Sequence, residues 1–147
     1  MQMFLSSMLI LFLFTTCVLA NEKYTTRLKM NTLGTVRMTF NGNEVVVKIY
    51  DTPSGKDFLT MLPLTLDFKY FANAEKIAYL PQKINFADSP RANELPGDFT
   101  YYVPWGNLAV FYWGHGNNSD LVTLGIIESG KEKLSSRDFT ARLEIIE

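Results

Sequence analysis

Cysteine and histidine are almost absent from this chain, which has one of each, Cys17 and His115. A transition-metal site drawing on several Cys, His or carboxylate groups at fixed spacing therefore lacks ligands, and neither a metal nor another cofactor is expected. With no second cysteine there is no disulfide to staple the fold. An excess of charge is missing too: fourteen Lys and Arg stand against fifteen Asp and Glu, for a net charge of −1. The two signs are interspersed, so there is no electrostatic footprint for nucleic acid or an anionic membrane surface. Glycine loops of the phosphate-cradling kinds do not occur, nor does a Gly-x-Ser-x-Gly elbow.

Residues 1–20 lack charged side chains altogether and hold the apolar run from Met8 to Phe14, then Val18-Leu19-Ala20 before polar Asn21-Glu22-Lys23. This pattern reads as a secretory signal peptide, with Val18 and Ala20 small enough for the peptidase subsites. Cleavage after Ala20 leaves residues 21–147, exported to a periplasmic or extracellular space with no stable membrane span. Two alternatives stay open. The run is shorter than the roughly 20 apolar residues that cross a bilayer, yet only the α-amine supplies the usual positive charge, which keeps an uncleaved anchor in play. Cys17 can be an incidental apolar residue or an acylated lipoprotein cysteine, although Phe14 and Thr16 stand where that signal prefers leucine and a small residue.

What is present is core-forming material: 47% of the residues are hydrophobic and 14% aromatic, which excludes a disordered chain. The expected layout is a signal peptide (1–20), an N-terminal extension (21–34) and one domain (35–147), a length that suits a single core. Residues 35–50 predict a β-hairpin, with β-branched flanks around Asn41-Gly42-Asn43. Thr52 and Pro53 predict the cap and first residue of a short helix running to about Leu62 and burying Phe58, Leu59 and Leu62. Strands are expected at 64–68, around 76–80, and at 98–103, 107–113, 121–128 and 139–145, the 107–113 strand being apolar enough to be buried on both faces. Residues 82–96, rich in Pro, Asn, Asp and Ser, predict a long loop of the kind that is often functional. The fold class is mainly β, a small barrel or sandwich with one or two short helices.

Several stretches resemble the cyclophilin-like family of small bacterial domains: Val47-Lys48-Ile49-Tyr50-Asp51 leading to Phe58-Leu59-Thr60-Met61-Leu62-Pro63, then Glu75 to Pro81, Pro96 to Leu108, and Leu124 to Gly130. The resemblance covers about residues 35–146 and implies a small closed β-barrel of cyclophilin-like type. Prolyl-isomerising cyclophilins carry an arginine in a Phe-His-Arg motif and a Gln-Phe-Phe motif on a central strand. Here the central strand reads Ala109-Val110-Phe111-Tyr112, and Tyr79-Leu80-Pro81-Gln82-Lys83 has no arginine. Efficient isomerase activity is therefore not expected. The first reading is an exported binding domain for a peptide or small-molecule ligand; the alternative is a divergent peptidyl-prolyl isomerase.

The densest aromatic region, residues 101–113, supplies the ligand-binding candidates. Tyr101 and Tyr102 alternate on a strand, so one points inward and the other outward. Trp105 lies in a Pro-Trp-Gly-Asn turn where its ring can stay partly exposed and its indole N–H free for a ligand. Phe111 on the central strand and Arg91 in the long loop are further candidates. His115, in Gly114-His115-Gly116, reads as an exposed loop residue or as an acid/base at a pocket rim. No catalytic residue is assigned, and Asn117-Asn118-Ser119 matches a glycosylation acceptor.

Overall fold

A computed structural model describes residues 22, 27, 29–114 and 116–147. The leader, with Cys17, Ala20 and Asn21, lies outside the described residues, and so does His115. Met1–Met30 and Asn31–Glu147 form two separate units, and every strand described belongs to the second. Among the described residues no helix is long and apolar enough to cross a membrane.

The second unit opens with the expected hairpin, β1 (Thr32–Phe40) and β2 (Asn43–Tyr50). Asn41 and Gly42 have φ of 48° and 74°, the left-handed pair that a two-residue hairpin turn requires. Val36, Met38 and Phe40 alternate inward from β1 and are buried. Helix α1 (Pro53–Thr60) follows, capped by the Thr52 side chain, which accepts from the Gly55 N–H at 3.0 Å. It buries Phe58 fully, whereas Leu59 and Leu62 are only partly buried. The helix ends earlier than the sequence suggests because Met61 and Leu62 donate three residues back, to Phe58 and Leu59, a tightened last turn.

The remaining strands are β3 (Leu64–Phe71), β4 (Glu75–Tyr79), β5 (Asp98–Tyr102), β6 (Asn107–Phe111), β7 (Leu121–Ser129) and β8 (Phe139–Ile145). A 3-10 helix, Lys131–Ser135, precedes β8 and seats Leu134 in the core. The eight strands close into an antiparallel barrel in the order β1-β2-β7-β5-β6-β4-β3-β8, with β8 pairing back onto β1. Closure removes the free edges that an open sheet exposes. Inside, Phe40 stacks on Phe139 with centroids 3.8 Å apart and Phe58 meets Phe99 edge-on at 5.4 Å. Each such ring contributes about 1.5–3 kcal/mol on burial.

One interior position departs from the apolar rule. Lys76 points inward from β4 and its side chain is fully buried. Its Nζ donates to the Ser136 carbonyl at 2.7 Å, lies 3.9 Å from Asp138 Oδ1 and sits 5.6 Å from the Tyr70 and Phe139 ring centres. Burial lowers the pKa of this ammonium, and the Asp138 carboxylate opposes the shift.

Candidate functional site

Strand alternation sends Leu108 and Val110 into the barrel and Asn107, Ala109 and Phe111 onto its outer wall, yet all five residues of β6 are buried. The outer wall is covered by two connections. The first runs from β4 to β5. Its second half follows β7, with Ala92 donating to the Leu121 carbonyl and Thr123 donating to the Pro90 carbonyl, both at 3.0 Å. Ala92, Ala109, Phe111 and Leu121 thereby form a second, smaller apolar cluster outside the barrel, joined by Ile77 and Tyr102. The second connection leaves β6 at Tyr112. The N–H groups of Tyr112 and Trp113 both donate to the Ala74 carbonyl at 3.1 Å, which ties this segment to the β3–β4 turn.

The covering is incomplete. Between the β3–β4 turn, the Trp105 turn and the two connections lies a cleft of about 720 Å³, within the size range of small-molecule sites. Its rings are Phe71, Tyr102, Trp105, Phe111 and Trp113. Trp105 stands perpendicular to Phe71 (centroids 5.6 Å apart, 90°) and to Tyr102 (5.3 Å, 89°), making one corner of a box. Trp105 and Trp113 remain 49% and 62% exposed, a large apolar area to leave in water unless something covers it.

Polar groups line the same cleft. Glu75, on the outward row of β4, has its carboxyl pushed up to about 7, chiefly by burial and secondarily by the neighbouring Glu94 carboxylate. Glu94 itself sits at φ 47°, and the turn residues Ala72 and Asn73 at 50° and 59°. Three of the five non-glycine residues described with positive φ thus line this one cleft. Ala72 and Asn73 are the left-handed pair of the β3–β4 turn, closed by the Ala74 N–H donating to the Phe71 carbonyl at 3.2 Å, whereas Glu94 lies in no hairpin and is strained by about 1–2 kcal/mol, as residues at functional sites often are. Gly114, at φ 127°, approaches so closely that a Cβ would lie 3.2 Å from the Glu94 carbonyl. Asn107 is only 1% exposed; its Nδ2 donates to the Leu108 carbonyl at 2.8 Å, while its Oδ1 is buried without a partner among the described residues. An orphaned buried acceptor costs about 1–3 kcal/mol.

Of the residues singled out from sequence, Tyr102, Trp105 and Phe111 come together in the cleft. Tyr101 does not: it is 1% exposed in the barrel core, its hydroxyl accepting from the Ile84 N–H at 3.4 Å. Arg91 lies elsewhere in the loop, bridged to Val122, with its guanidinium 5.5 Å from the Phe86 ring centre. His115 is outside the described residues, though its neighbours Gly114 and Gly116 line the rim. Glu75, Glu94 and Asn107 escaped sequence reasoning. Among the described residues no group of three or more His, Cys, Asp or Glu could hold a metal ion.

No match was found among curated proteins. Among solved structures, a hypothetical protein of Archaeoglobus fulgidus, determined in solution, is similar at a TM-score of 0.58 and 16% identity, over 80% of this chain and 98% of that one. At that identity the likeness speaks for the fold. The profile of the cyclophilin-like family matches residues 38–144, most of the barrel. With a closed eight-stranded barrel and a family match along its length, the chain belongs to the cyclophilin-like family.

Proposed function

We propose that the protein is an exported binding domain that takes a peptide or small-molecule ligand in the aromatic cleft on its outer wall, without efficient prolyl isomerase activity. The observation that carries the reading is the convergence in one cleft of exposed rings, strained backbone and an unpartnered buried acceptor at Asn107. Folded proteins rarely keep such features together unless a ligand resolves them. Against isomerase activity stands the chemistry of the twisted amide, which needs a preorganised donor at its oxygen or nitrogen. The described cleft residues include neither lysine nor arginine, and Arg91 is engaged elsewhere.

The test is isomerisation of a proline peptide by the purified protein. The expected rate is that of the uncatalysed bond, whose barrier is about 18–20 kcal/mol, with no change in Arg91→Ala. Robust activity lost in Arg91→Ala would overturn the reading. Export is supported by the uncharged leader alone, and it predicts that protein recovered outside the cytoplasm begins at Asn21. An intact leader, or a lipid adduct on Cys17, in the mass spectrum would refute that.

A further inference from the structure

The cleft's chemistry narrows what it can take. Every described ionisable side chain that lines it with a charge to offer is a carboxyl, Glu75 or Glu94, and the one unsatisfied buried polar atom there, Asn107 Oδ1, is an acceptor. A ligand that completes this site must bring N–H donors and positive charge. The walls point the same way. Phe71 and Tyr102 set perpendicular to Trp105 present ring faces and edges to a common space, the arrangement in which π-faces attract an ammonium.

We propose that the cleft binds a protonated amine, its ammonium held by Glu75 and Glu94 and its carbon chain against the Phe71–Trp105–Tyr102 rings, while Asn107 Oδ1, four residues along β6 from Glu75's partner Phe111, marks the far end of the cleft. This rests on the cleft being the binding site and adds the class of its ligand. The shared chemistry has two sources, a free amine or a lysine side chain presented by a peptide. Binding favours the ionised form of Glu75. The other groups near that carboxyl are Glu94 and Tyr112, whose own pKa is raised by burial, with Tyr70 and Glu75 adding to it. The undescribed His115 falls between two rim residues.

The experiment follows fluorescence of the full protein during titration, since its only two tryptophans, Trp105 and Trp113, both line the cleft. The probes are phenethylammonium against neutral 2-phenylethanol, and a blocked lysine tripeptide against its norleucine counterpart. At about pH 8, where an alkylammonium keeps its proton, the cation of at least one pair binds about tenfold more tightly than its neutral analogue. Whichever pair responds identifies the source. The preference shrinks several-fold at about pH 6, as Glu75 takes up its proton, and in Glu75→Gln it is smaller at about pH 8 and loses this pH dependence. Equal binding of cation and neutral analogue overturns the amine assignment while leaving the cleft a binding site. No response to any probe, together with a cleft that binds no proline peptide, overturns both.

Discussion

At the scale of single residues, Glu75 couples the cleft to stability. Its folded pKa of about 7 lies above the 4.5 of an ordinary glutamate, because burial and Glu94 disfavour the charged form. Between these values the folded protein binds more protons than the unfolded one, so stability is highest below about pH 4.5, falls as pH rises towards 7 and is level above it. The loss is about 1–3 kcal/mol for a half-buried group. Glu75→Gln should therefore raise the melting temperature at about pH 8 and remove most of the decline in this window; an unchanged pH profile in the variant would show that Glu75 is not the group responsible. Asn107 carries a related burden, since its Oδ1 is buried without a partner among the described residues. Two such residues in one cleft lower the stability of the domain there.

At the scale of elements, β6 holds both the core and the site, because its two faces serve different clusters. Leu108, opposite Ala78 and Tyr101 in the barrel interior, is the cleanest probe of the inner face. Leu108→Asp should abolish cooperative folding, since an unpaired buried carboxylate costs several kcal/mol against a total of about 5–15. A folded variant melting like the parent would show the strand to be misplaced. Val110 tests this less cleanly, because Lys76 stands directly across from it and could partner a new carboxylate. Most elements were legible locally: β1, β3 and β8 alternate with period 2, β2 is rich in β-branched residues, and Asn41-Gly42, Thr52 and Pro53 announce their turn and helix start. The 3-10 helix was not, because Lys131–Ser135 has a single apolar residue, Leu134, and shows no period. The inward lysine of β4 was equally invisible. Lys76 is tolerated only because Ser136 and Asp138, some sixty residues on, come within reach.

For the whole molecule, the barrel was readable and the cleft was half readable. Trp105, Tyr102 and Phe111 could be found as aromatics of a strand pair and its turn. Glu75 and Glu94 could not, since what distinguishes them is the fold of the β4–β5 connection over the barrel's outer wall, and no local pattern encodes that approach. Tyr101 was separated from Tyr102 only by knowing which face is inside. The central claim is that this outer-wall cleft receives the ligand, and backbone and indole amide shifts measured during titration with phenethylammonium test it most directly. Both indole signals should move, together with the amides of Ala72–Glu75 and Asn107, while Tyr101 and the residues around a separate concavity at Asp67, Lys69 and Thr140 stay still. Shifts gathered around Asp67 and Thr140, with both indoles unmoved, would contradict it.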